Sequence, residues 1–275
     1  MSPDSDSSHR PGAKLRYALD VAALSPRIAA RVVKLSRDAG TDRFLGDAER
    51  GRHGALRTFA HRVLRHFMSD FDVNGLLDMY SLFLASDEHW QTLLGARKVP
   101  RLLDVGAGSG TVTELLAPFA EQVVTTELSA RMARRLRARG FECHEIDLAE
   151  QELALEPAPF DLITCLNVLD RTRQPRALLR RLIALLAPAG RLVIALALPY
   201  RPFFYDGAST PDPVEPLSCK DPRFERALNQ LVEQELEPLG LALASVSRLP
   251  YLSFGDSERN LYELDDAVLV LEKRT

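Results

Sequence analysis

Three glycines alternate with small residues in Leu103-Asp104-Val105-Gly106-Ala107-Gly108-Ser109-Gly110. They stand where an apolar run gives way to a helical pattern. Glycine there lets the backbone approach a ligand closely, and a helix start offers unpaired N–H donors. A dinucleotide fingerprint asks for glycine or alanine one place later, where Thr111 stands, and a phosphate loop asks for a lysine that is absent. Glu127 ends the next apolar run, 21 residues beyond Gly106. An acid at that place accepts hydrogen bonds from both hydroxyls of a ribose. Asp104 precedes the glycines, and Asp147 ends a third apolar run. Together Asp104, Gly106, Gly108, Gly110, Glu127 and Asp147 predict a site for S-adenosylmethionine. A nicotinamide dinucleotide, or a tight turn with no ligand, is the alternative. Asp147 has a second reading as the cap of a helix at Ala149-Glu150.

The elements that must position these residues read as follows. Residues 1–13 form a polar tail expected to be disordered. Residues 14–98 are expected to be a helical extension or cap, with Leu56, Phe59, Val63, Leu64 and Phe67 on one face and no strong strand signal before residue 100. From residue 99 to 275 apolar runs alternate with helices of roughly 10–15 residues, the pattern of a parallel sheet covered on both faces. One helix is expected from Gln174 to Gly190, and another over 223–240 with Gly240 as its cap. The last two strands, from Leu241 to Leu249 and from Ala267 to Arg274, are joined too tightly for a covering helix and should pair antiparallel. Between them and the parallel strands lies a stretch, 199–222, holding six of the 17 prolines. A long stiff loop of that kind is usually functional, as lid or groove wall.

Composition excludes several classes. With 46% hydrophobic and 27% charged residues, the chain is a folded globular protein. Its longest apolar run, about nine residues from Leu192 to Tyr200, is far short of the roughly 20 that a membrane span needs. No secretory signal is visible at the start, so a cytoplasmic enzyme without a membrane partner is expected. The net charge is −3, and a nucleic-acid partner is not expected. The basic bias of residues 10–65, 13 Lys and Arg against five Asp and Glu, reads as a solvated face. Cys143, Cys165 and Cys219 share no short spacing, and the six histidines show no ligand pattern, so neither a disulfide framework nor a metal is expected.

The glycine loop with its acids resembles the class I, Rossmann-like methyltransferases. That resemblance implies a seven-stranded, mostly parallel sheet whose last pair is antiparallel, with Asp147 facing the adenine. Further segments carry a narrower likeness: Cys165-Leu166-Asn167-Val168-Leu169-Asp170-Arg171, Leu196-Ala197-Leu198-Pro199-Tyr200-Arg201-Pro202, Arg248-Leu249-Pro250-Tyr251-Leu252, and Leu264-Asp265-Asp266-Ala267-Val268. With the glycine loop and Thr125-Thr126-Glu127-Leu128-Ser129, they resemble the DREV family, also called methyltransferase-like protein nine, from about residue 56 to 273. The resemblance implies methylation of protein histidines at the pros nitrogen within His-x-His motifs where x is small. Animal members begin with a signal-like apolar segment that this chain does not show, so their endomembrane location is not carried over. The chain contains no His-x-His of its own.

The residues suit that chemistry. Neutral imidazole has one nitrogen with a free lone pair and one N–H. A carboxylate that accepts the N–H sets the tautomer and aims the other nitrogen. Asp170, after the fourth strand, is the candidate for that role and for receiving the proton later; its other reading is an N-cap for the helix near Gln174. Tyr251 stands ready to bond or stack on the ring, or simply to pack at a strand end. Asn167 can hold either cofactor or substrate. Tyr200, Phe203, Phe204 and Tyr205 suit a groove wall or plain loop anchors. The expected enzyme is a monomeric protein-histidine methyltransferase acting on a His-x-His protein or peptide. The alternatives are a small-molecule N-methyltransferase on the same fold, a non-catalytic binding module, and an RNA methyltransferase suggested by the arginines at 131–139 and 171–181.

Overall fold

A computed structural model describes residues 15–50, 82–151, 159–203, 211–254 and 261–274. The expected tail, the amphipathic stretch from Leu56 to Phe67, and Phe204 and Tyr205 lie outside the described residues. The chain enters through a 3-10 turn (Val21–Ala23), a one-turn helix α1 (Pro26–Ala29) and α2 (Ala39–Arg50). A two-residue strand β1 (Leu82–Phe83) and α3 (Asp87–Leu94) follow. The alternating core comes next: β2 (Val99–Val105), α4 (Thr111–Leu116), β3 (Ala120–Thr126), α5 (Ala130–Ala138), β4 (Glu142–His144), β5 (Phe160–Leu166), α6 (Pro175–Leu185) and β6 (Leu186–Ala197). Helix α7 (Phe224–Gln230) leads into the long pair β7 (Leu241–Phe254) and β8 (Leu261–Lys273).

The strands form one sheet in the order β1-β7-β8-β6-β5-β2-β3-β4. β2, β3, β4, β5 and β6 run parallel, while β8 pairs antiparallel with both β6 and β7. From β2 the chain steps outward to β3 and β4, then returns to lay β5 on the other side of β2. The crevice at the carboxyl ends of β2 and β5 is therefore the switch point where sheets of this kind bind ligands.

Both faces of the sheet are covered, and the side chains alternate between two apolar layers as the pleat requires. Leu103, Ile163, Ile194, Leu269 and Leu271 pack into one layer with Leu178, Leu182 and Phe224. Their neighbours Leu102, Leu162, Val193, Val268 and Val270 pack into the other with Trp90, Leu93 and Leu116. Each such side chain contributes roughly 1.5–3 kcal/mol on burial. No helix among the described residues is long and apolar enough to cross a membrane.

The Rossmann-like fold class and its antiparallel last pair are as expected, with particular differences. Among the described residues the sheet has eight strands rather than seven, because Leu82–Phe83 pairs with Ser253 and Leu252. A two-residue strand carries no period; its partner defines it. The extension also touches the sheet at Val32, which bridges Val246. The helix expected to reach Gly190 stops at Leu185, and Leu186 already pairs with Phe160. Pro188 lacks an N–H and forces Ala187 out of the helical region, which accounts for the stop. The third parallel strand shrinks to Glu142–His144. The final pair is longer than expected, reaching Phe254 opposite Leu261, because cross-strand pairing extends through polar residues that hydropathy alone leaves out. The 223–240 helix passes through π and 3-10 turns, and Gly240 caps it at φ 81° as expected.

Trp90 on α3 is fully buried in the second layer, so the extension shares its core with the sheet. Trp90→Ala should lower stability by about 3–5 kcal/mol. In urea it should shift the one cooperative transition; a separate early transition, leaving the main one in place, would mark the extension as an independent unit.

Candidate active site

The glycine loop leaves β2 at Val105 and turns into α4. Gly106 and Ala107 both donate their N–H to Thr126 O, at 2.9 and 3.1 Å, which ties the loop to the end of β3. Gly106 has φ 67°, and a Cβ there would lie 2.6 Å from Val168 Cγ2, so only glycine lets the two loops touch. Gly108 has φ 57° and differs: a Cβ there would meet nothing within 4 Å. Its backbone lines open space in the crevice. Gly110 precedes α4 in the left-handed region as its N-cap.

Glu127 follows β3 and is half-buried. Its Oε2 accepts from Gly108 N–H at 2.8 Å and its Oε1 from Ser129 N–H at 2.9 Å. Each oxygen has a second lone pair, so the carboxylate can hold these donors and still accept ribose hydroxyls. The open side of Gly108 with an acid beside it fits the expected adenosyl group. Asp147 accepts Ala149 N–H through Oδ1 at 2.8 Å, but in a turn at 148–150, not at the start of the helix its second reading expected.

Asp104 is placed differently from the other expected cofactor residues. It is buried on β2, with Thr113 Oγ1 donating to its Oδ2 at 2.6 Å and Thr164 Oγ1 to its Oδ1 at 2.7 Å. It therefore fastens α4 and β5 to β2, beneath the loop. Burial pushes its pKa up to about 6, against the two hydroxyl donors that lower it, with Glu127 adding a small upward push.

Across Val168 lies the second half of the site. Asn167, Asp170 and Tyr251 come together here, from two distant parts of the chain. Asn167 follows β5 with φ 55° and is buried; its Nδ2 donates to Asp266 Oδ2 at 2.6 Å. Asp170 is buried, and Arg171 Nε lies 3.9 Å from its Oδ2. It does not cap α6, whose N-cap is Gln174. Burial raises the Asp170 pKa, opposed by Arg171. Tyr251 is also buried, and burial pushes its pKa up to about 12, so its hydroxyl stays protonated at neutral pH. Asn167 Oδ1, Asp170 Oδ1 and Asp266 Oδ1 are buried without a hydrogen-bond partner among the described residues. Buried polar atoms nearly always have partners, so these three oxygens can accept from donors on a ligand or on water.

Two members of the cluster were not anticipated as site residues, Asp266 and Arg171. Asp266 is fully buried mid-sheet, opposite Ala197 on one side and Leu249 on the other. The signal was an acid opening the apolar run Ala267-Val268-Leu269-Val270-Leu271, although Asp265 beside it pairs with Arg248 at 2.9 Å and looks identical in sequence. In the Pro-rich stretch, Tyr200 is a buried anchor whose hydroxyl donates to Leu169 O at 3.4 Å. Phe203 is exposed at the rim, with the Arg171 guanidinium 5.3 Å over its ring, and its N–H donates to Asp170 O at 2.7 Å.

The DREV methyltransferase family model matches residues 16–273, a longer span than the motifs alone. Among curated proteins, a ubiquinone biosynthesis O-methyltransferase of Xylella fastidiosa (strain 9a5c) is 34% identical over 109 residues, 36% of this chain and 44% of that protein. One of Xanthomonas euvesicatoria pv. vesicatoria is 30% identical over 100 residues, 34% of this chain and 42% of that protein. The chain thus matches less than half the length of these relatives. Among solved structures, the N-methyltransferase NodS of Bradyrhizobium japonicum WM9 in complex with S-adenosyl-l-homocysteine is 19% identical, covering 65% of this chain and 80% of that one, with a TM-score of 0.43. A TehB-like SAM-dependent methyltransferase of Corynebacterium glutamicum is 18% identical, covering 69% and 88%, with a TM-score of 0.45.

A methyl group at Gly108 would stand in the cradle while touching no protein atom. Gly108→Ala should cost about 1–2 kcal/mol of stability through its backbone angle but weaken S-adenosylmethionine binding tenfold or more by calorimetry. Unchanged affinity would place the cofactor elsewhere. For Asp104 the folded pKa lies above the unfolded one, so its contribution is full below about pH 4 and lost as pH rises through about 6. Relative to wild type, Asp104→Asn should therefore gain on the order of 2–3 kcal/mol between pH 4 and pH 7, read from urea midpoints at the two pH values.

Proposed function

This chain belongs to the DREV methyltransferase family, and on that premise we propose that it methylates a histidine ring nitrogen, the pros position within His-x-His, of a protein or peptide. The cofactor is S-adenosylmethionine, which supplies an electrophilic methyl group on a sulfonium. The observation that carries the histidine reading is the trio of buried, unpartnered oxygens on Asn167, Asp170 and Asp266. An unpaired buried acceptor costs about 1–3 kcal/mol, so the trio favours a ligand that brings more than one donor. A His-x-His segment brings two ring N–H groups. A phenol brings one O–H and gives it up on becoming a nucleophile.

On this reading the backbone at Gly106, Gly108 and Gly110 and the Glu127 carboxylate hold the cofactor, Asp147 faces the adenine, and Asp104 braces the loop from below. Asp170 accepts the N–H of the target ring, which leaves the lone pair on the pros nitrogen directed at the methyl carbon. A methylated ring that still carries its N–H is cationic, and Asp170 would take that proton. Burial raises its pKa, which strengthens it as a proton acceptor, and Arg171 opposes the rise. Asn167 Oδ1 accepts a second N–H, and the neutral Tyr251 hydroxyl bonds or walls the ring. Phe203, exposed beside Arg171, lines the peptide's path. Much of the barrier is lowered by alignment and exclusion of water.

The likeness to ubiquinone O-methyltransferases favours a small-molecule acceptor as the second reading. A His-Ala-His peptide and an Ala-Ala-Ala control separate the two. Hydrolysis and chromatography should find pros-methylhistidine in the first peptide alone. Asp170→Asn should lower kcat/KM about 100-fold or more and leave cofactor affinity within about twofold. Binding of S-adenosylmethionine with no transfer to the peptide would point to the small-molecule acceptor.

A further inference from the structure

Asp266 is an acid with no place in the roles above. It sits on β8 between β6 and β7, and its Oδ2 accepts from Asn167 Nδ2 at 2.6 Å. Asn167 is held at its other end too, its main-chain N–H donating to Ala195 O at 2.9 Å. It is the one non-glycine residue with positive φ among the described residues. A side-chain amide is nearly symmetric in shape, and its two ends have opposite hydrogen-bond character. Committing Nδ2 to a carboxyl oxygen leaves Oδ1 as the end available to a ligand, and that oxygen is buried without a partner among the described residues.

We propose that Asp266 is a positioning residue: by holding Asn167 Nδ2 it makes Asn167 present an oxygen to the methyl acceptor, and so selects acceptors that bring a second N–H besides the one Asp170 accepts. This rests on the histidine reading for its substrate and on the Asn167–Asp266 geometry for its physics. An amide turned the other way would set an NH2 group against that second N–H, donor facing donor. The groups around Asp266 are Asn167, Asp170 and Arg171 from the segment after β5, Tyr251 from β7, and Asp265 from its own strand. Burial is the main cause of its pKa rising to about 8; Asn167 and Arg171 oppose the rise, and Asp170 and Asp265 add to it.

The test uses the full chain with cofactor bound. The side-chain amide resonance of Asn167, assigned by its disappearance in Asn167→Ser, should titrate in the wild type with a midpoint near pH 8. In Asp266→Asn, which preserves volume, that titration should vanish. In the same variant the KM for the His-Ala-His peptide should rise about tenfold, with kcat within about threefold and cofactor affinity unchanged. A wild-type amide signal indifferent to pH and to Asp266→Asn would overturn the proposal, as would an unchanged KM in a folded variant. A wild type that leaves the peptide unmethylated while the titration persists would overturn the histidine reading and uphold the pairing, whose acceptor is then another N–H base.

Discussion

The site depends on a contact that glycine alone permits. Gly106 follows β2 and Val168 follows β5, and Val168 Cγ2 lies 2.6 Å from where a side chain on Gly106 would begin. The two strands are neighbours, with Val105 opposite Cys165. Because the loops after them touch, the half of the crevice that suits a cofactor and the half that suits an acceptor share a wall. A methyl-transfer site requires this, since donor carbon and acceptor nitrogen must approach in line. A side chain at Gly106 would strain its backbone at φ 67° and force the Val168 side chain to shift.

Three buried acids sit beside this wall, and their surroundings divide their work. Asp104 has both oxygens taken by threonine hydroxyls, so it is a brace. Asp170 and Asp266 each keep a buried oxygen without a partner among the described residues. Burial raises all three pKa values. Occupancy of the lone pairs, more than the titration shift, separates Asp104 from the other two.

The rim is held by the Pro-rich stretch. Glu235, buried in the π turn after α7, accepts from Arg176 Nε at 2.9 Å and Nη2 at 2.8 Å, and from Ser218 N–H at 2.7 Å. Tyr200 N–H donates to Cys219 O at 3.0 Å, and Val214 N–H to Arg173 O at 2.9 Å. These ties bind the stretch to the Asp170 segment and to α6, and leave Phe203 exposed at the opening. On the far edge, Val33 and Ser247 join the extension to β7.

Much of this was legible in one dimension because its causes are local. Glycines at a strand–helix turn, an acid ending the next strand and short apolar runs alternating with helices announce themselves by spacing, and they pointed to the fold class and the cofactor. Asn167, Asp170 and Tyr251, which the structure brings together, were named through motif likeness rather than through any period. The tertiary structure alone decided that Asp104 lies under the loop with its oxygens occupied, that Leu82–Phe83 is a strand, and that Asp266 rather than Asp265 reaches Asn167. Those outcomes depend on which partner the sheet brings alongside. Adjacent strand residues point to opposite faces, so two consecutive aspartates that read alike in sequence meet an arginine on one side and a buried amide on the other.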